Sequence, residues 1–120
     1  MPVITVADRE SFLEAIVKKH MLPVLAAKGR DYTAYNSEAH AKSANSNFIG
    51  VSEMLGDGHI DKFRVWSVFF IKHVQSILTW VATRTVTSEK IEGRLVDALN
   101  YLIIFWSMLV EDGVVPDPRD

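Results

Sequence analysis

The chain contains no cysteine. Disulfides, thiolate metal sites and a cysteine nucleophile are therefore excluded, and the composition suits a reducing cytosol. An excess of basic charge is also missing. Lys and Arg number 13 against 15 Asp and Glu, a net charge of -2, which offers no field to hold a nucleic-acid backbone or an anionic membrane. Generic nucleic-acid binding is disfavoured. The start MPVITVADRE has no basic segment leading into an apolar one, so no secretory signal is read there and a cytoplasmic location is expected. Two runs, VWSVFFIKHVQSILTWV and LVDALNYLIIFWSMLV, are very apolar. Polar residues interrupt both, and they are read as falling short of the roughly 18 clean apolar residues of a spanning helix. They are expected to be helices buried in protein, with no membrane partner.

Signals for familiar chemistry are sparse. His20, His40, His59 and His73 are scattered without ligand spacing, which disfavours zinc. No serine sits in a nucleophile elbow, and GDGH is a turn without the glycine spacing of a phosphate loop. Glu89 and Glu92 are three apart, a placement that suits compensation of a helix dipole, while Asp97 lies five residues on and is read as pointing elsewhere. Too few carboxylates assemble for a magnesium centre, so neither a metal nor a cofactor is expected.

What is present is a helical pattern. At 120 residues and 48% hydrophobic content, the chain is one domain with material for a single core. The fold class is all-α: a compact bundle of about four helices with a long antiparallel C-terminal helical hairpin. Residues 1–7, β-branched, form a short extended lead-in. Phe12, Leu13, Ile16, Val17 and Met21 have helical spacing from Asp8 onward, with Thr5 and Asp8 placed like a capping box. Pro23 should kink or end that helix near Leu22, and Gly29 should end the segment after it. Residues 30–47 read as a long polar loop with at most one weak helical turn, and NFIGVSEMLG as a short helix stopped at Gly56. A third helix covers about 60–82 and a fourth about 88–112, with Ser88 as N-cap; Gly113 stops the fourth, and 113–120 are a tail.

The hairpin carries the functional argument. Its short link makes the last two helices antiparallel, so residues whose numbers sum to about 171 stand at one height. Lys72 then falls beside Asp97 to Leu99. Lys72, Gln75, Ser76 and Thr79 share one helix face, and Arg94, Asp97, Asn100 and Tyr101 share another. Charged groups persist in an apolar segment only for pairing or for a ligand, because an unpaired buried charge is costly. They form either a buried ion-pair network or a pocket wall where Lys72 and Arg94 hold a phosphate while Asp97 and Asn100 meet a base or ribose. In the polar loop, Arg30, Asp31, Tyr32, Asn47 and Phe48 mix charge, amide and aromatic groups suited to closing over a nucleotide. Asp31 and Asn47 also fit the simpler roles of cap or turn former. Trp66, Trp80 and Trp106 read as core or oligomer interface.

The order KGRDYTAYN, NFIGVSEMLG, IKHVQSI and SEKIEGRLVDALNYLIIF resembles small helical proteins of tailed phages related to the nucleotide-modification-associated domain family, over roughly residues 28–110. The resemblance implies a phage-encoded intracellular protein linked to nucleotides, working in the host cytosol. Asp31, Tyr32, Asn47, Phe48, Lys72, Arg94, Asp97, Asn100 and Tyr101 match its recurring polar positions. The last helix is also faintly similar to the second acidic helix of MazG-type all-α nucleotide pyrophosphohydrolases, which hold magnesium between paired acidic motifs. Here Lys72 and His73 stand where the first motif would place carboxylates.

Three functions compete. The preferred one is a protein that binds a nucleotide or nucleotide-derived small molecule without turnover, in nucleotide metabolism or in sequestering a host defence signal. A divergent magnesium-dependent pyrophosphohydrolase would need Glu89, Glu92 and Asp97 to converge, with Glu10 or Glu14 as a further candidate. A structural or interaction protein would use the polar stripe as an ion-pair network alone. Large apolar residues crowd the last two helices beyond what a monomer this small buries, so a homo-oligomer is expected in each case.

Overall fold

The structure, a computed structural model, describes residues 2–33, 45–56, 60–85 and 89–120, the side chains of 29–33 and 46 excepted. It is an all-α bundle, with no strand among the described residues. The lead-in is shorter than the sequence suggests: residues 2–5 carry no regular structure, and Val6–Asp8 form a 3-10 turn. The Asp8 carboxylate accepts from the Thr5 amide (3.0 Å) and hydroxyl (2.8 Å), which closes the expected capping box. Helix α1 (Arg9–Ile16) follows, then a π turn (Val17–Met21), then α2 (Leu22–Thr33).

Pro23 therefore neither ends nor breaks the helix. Its ring has no N–H and would strike the carbonyl four residues back; the wider π turn just before it opens the backbone there and lets the helix continue. Gly29 does not end the helix either, since one helical glycine costs only about 1 kcal/mol. Arg30, Asp31 and Tyr32 accordingly lie on the last turn of α2 and not in a loop. The rest of the expected loop, residues 34–44, lies outside the described residues.

Helix α3 (Ser46–Leu55) closes at Gly56, whose φ of 68° suits a residue without a side chain. Buried Asn45, just ahead of α3, donates to Ser107 Oγ (3.0 Å) and Glu111 Oε1 (2.6 Å), tying the start of α3 to the end of the last helix. Helix α4 (Lys62–Thr83) starts where the Asp61 side chain accepts from the Arg64 amide (2.9 Å). Its C-cap, Arg84, has a φ of 63° and lies 5.1 Å from the centre of the Trp80 ring. Helix α5 (Ile91–Glu111) begins later than expected: Lys90 is its N-cap, and Ser88 lies outside the described residues.

Helices α4 and α5 form the expected antiparallel hairpin, with α3 against α4 and the π turn against α5. The core between them is aromatic. Trp66 stacks on Phe70 (4.7 Å between ring centres) and lies 4.7 Å from Phe105, while its indole donates to the Tyr101 carbonyl (2.8 Å). Met108 is fully buried, and Phe48 and Val65 complete the cluster. By length and composition α4 and α5 are both apolar enough to cross a membrane, contrary to the expectation that their runs fall short.

Candidate functional site

A groove of about 360 Å³ opens where the π turn and α2 meet the first half of α5. Lys19, His20, Pro23, Val24 and Lys28 form one wall; Glu89, Glu92, Gly93, Val96 and Asp97 form the other. That volume lies in the range of small-molecule sites. The walls are chemically opposed, one with two ammonium groups and an imidazole, the other with three carboxylates.

Asp97 sits at the bottom. It is buried, and its Oδ1 accepts from Lys28 Nζ at 2.9 Å. Its Oδ2 stands 3.8 Å from Nδ1 of His73, a residue of α4 whose ring lies 4.9 Å from that of Tyr101. Burial pushes the His73 pKa below its ordinary value; the Asp97 charge opposes that shift, and Lys28 and Arg94 add to it. Next to this cluster Asn100, also buried, donates through Nδ2 to the Met21 carbonyl (3.1 Å), which fastens α5 to the π turn. Among the described residues, His73 Nδ1 and Asn100 Oδ1 are buried polar atoms without a hydrogen-bond partner.

Glu89 and Arg94 form a second pair at the groove's edge, 3.8 Å from Oε1 to Nε. Gly93 makes room for it, because a Cβ there would fall 2.7 Å from Glu89 Oε1. Among the described residues no three His, Asp or Glu side chains come together as a metal cluster.

The expected residues divide into groups. Asp97, Asn100 and Arg94 do sit together at or beside the groove. Lys72 does not: it is exposed, and His73 takes the place beside Asp97. The expected height was right, but the rotation of α4 differs by one residue, or about 100°. Trp66, Phe70, His73 and Ile77 fall at i, i+4, i+7 and i+11, so burying the aromatic pair carries His73 inward and leaves Lys72 on the outside. Gln75 and Thr79 are exposed with it, so the α4 polar stripe does not face the stripe on α5.

Phe48 is a core residue, edge-on to Phe69 and Tyr101, and is not free to stack on a ligand. Asn47 is half-buried on the first turn of α3, and Tyr101 spends its ring on the aromatic cluster. The side chains of Arg30, Asp31 and Tyr32 lie outside the described residues. Sequence reasoning missed Lys28, Lys19 and His20. A signal existed for Lys28, which follows Met21 and Val24 at helical spacing and so shares their inward face. Glu89, Glu92 and Asp97 also line one groove, against the expectation that Asp97 points away from the other two.

Compared with protein-family models, with curated proteins and with solved structures, the chain matches none.

Proposed function

We propose that the groove binds a nucleotide or nucleotide-derived small molecule without turning it over. One observation carries the reading: Lys19, His20 and Lys28 line one wall, and Glu89, Glu92 and Asp97 line the other. A ligand with an anionic end and a hydrogen-bond-donating end matches such a pair of walls. Phosphate oxygens would pair with the lysines, while the carboxylates would accept from an exocyclic amine or ribose hydroxyls. Two lysines and an imidazole suit a single phosphate or a cyclic phosphate better than an extended triphosphate. With the resemblance in the sequence, this suggests a phage-encoded protein of the host cytosol, acting in nucleotide metabolism or holding a nucleotide signal used in host defence.

A second reading rests on the same acidic wall. Glu89, Glu92 and Asp97 on one groove are the carboxylates that a magnesium-dependent pyrophosphohydrolase would use, so the test must distinguish binding from turnover. The purified chain is melted with mono-, di-, tri- and cyclic nucleotides, with and without magnesium, and each mixture is then analysed for products. Binding at a hundredfold excess over Kd stabilises by about 2.7 kcal/mol, a Tm rise of several degrees. A rise with intact ligand, reduced in Lys19→Ala, supports the binder. A magnesium-dependent product that Glu92→Gln abolishes supports the hydrolase instead. No shift and no product with any compound overturns both.

A further inference from the structure

We propose that the outward face of α5 is the contact between two copies of this chain, the two α5 helices packing antiparallel about a two-fold axis. Leu95, Leu99, Leu102 and Trp106 are 45%, 38%, 47% and 51% exposed. Their spacing of four, three and four residues is the seam along which one helix packs against another. From Leu95 to Val110 the only charged residue is Asp97, and it is buried on the opposite side. No other element among the described residues covers this stripe.

The stripe is self-complementary. A two-fold axis passing between Asn100 and Tyr101 sets Leu99 opposite the partner's Leu102 and Leu95 opposite the partner's Trp106. Each contact then occurs twice, as an isologous interface requires. Leucines meet at the centre, and the large indole meets a smaller side chain at each end. Antiparallel packing also opposes the helix dipoles favourably.

The stripe is continuous: Leu95, Leu99, Leu102 and Trp106 stay 38–51% exposed over three turns of α5, and one straight helix of a second copy, carrying the same stripe, covers all four at once. A lipid bilayer fits less well. Outward-facing α4 interleaves exposed Val68, Ile71 and Leu78 with exposed Arg64, Lys72, Gln75 and Thr79, and immersing the hairpin would strip water from each of these polar groups.

The experiment uses the full chain in detergent-free buffer. Size-exclusion chromatography with light scattering should give twice the chain mass. Leu99→Glu and Leu102→Glu should each halve it while far-UV circular dichroism stays unchanged. Because the chain has no cysteine, Leu95→Cys and Trp106→Cys report the register when treated with a short bis-maleimide. The mixed variants should cross-link, whereas either alone should not, since like positions would lie roughly 16 Å apart along the helix pair. A single-chain mass at high concentration, a dimer indifferent to both glutamates, or cross-linking as strong in the separate variants as in the mixture would overturn the proposal. Recovery of the protein only in detergent would overturn it in favour of a membrane.

Discussion

Lys28 Nζ lies 2.9 Å from Asp97 Oδ1, joining α2 to the second turn of α5 at the floor of the groove. The two partners are unequally buried: 42% of the Lys28 side chain is exposed against 9% for Asp97. Removing the carboxylate leaves a half-solvated ammonium, and removing the ammonium leaves a buried carboxylate beside His73. The second loss is the more damaging where no other cation can follow.

Lys28→Ala is accordingly expected to cost about 1–3 kcal/mol, below the roughly 3–5 kcal/mol of a fully buried pair because water screens the lysine. Lys72→Ala should cost under about 0.5 kcal/mol, as befits an exposed residue. Chemical denaturation of the two variants checks the rotation of α4. A loss at Lys72→Ala as large as about 1–3 kcal/mol would mean that Lys72 is turned inward and the rotation of α4 is wrong.

His73 makes stability depend on pH, and the sign follows from its environment. Its folded pKa lies below the ordinary 6.5, mainly because burial penalises the charged ring. The unfolded chain therefore takes up the proton first as pH falls. Stability contributed by neutral His73 is present above 6.5 and is lost progressively as pH drops through 6.5 toward the folded value. Tm measured from about pH 7.5 to about pH 5 should fall, and His73→Gln should flatten the part of that slope centred on histidine titration. Asp97→Asn removes the charge that opposes the shift, so an NMR titration should find His73 displaced to still lower pH.

Gly93→Ala separates the groove from the fold. The new methyl group would meet only the far end of the Glu89 side chain, 2.7 Å away, and that flexible end can swing aside. Alanine's helix propensity exceeds glycine's by up to about 1 kcal/mol. Tm is expected to hold or rise, while Glu89 loses its place beside Arg94 and any nucleotide-induced shift shrinks. A fall in Tm of several degrees would show that the position is tighter than one carboxylate.

Met108→Ala and Phe48→Ala test the core. Met108 is fully buried and Phe48 nearly so, so losses of about 2–5 and about 3–5 kcal/mol are expected by denaturant unfolding. Phe48→Leu keeps most of the volume and should retain any nucleotide-induced Tm shift, since the ring faces Phe69 and Tyr101 and not the groove. Loss of the shift in a stable Phe48→Leu protein would return Phe48 to the binding site.

Local pattern determined the last two helices. Alternation of apolar residues at helical spacing specified α4, α5 and their antiparallel pairing, and the link length set their register closely enough to bring residue 72 or 73 level with Asp97. Asp97 and Asn100 stood out because polar groups in an apolar run need partners. Which partners they take was a matter of packing. A rotation of about 100° is invisible in a helix apolar nearly all round, and only the seating of Trp66 and Phe70 against Phe105 turned His73 inward and Lys72 outward. Lys28 reached Asp97 because the π turn carried α2 past Pro23, a solution that the proline's missing N–H and ring permit but do not dictate. The groove is likewise a product of tertiary structure: its basic wall comes from one end of the chain and its acidic wall from the other, and no short-range pattern records that they meet.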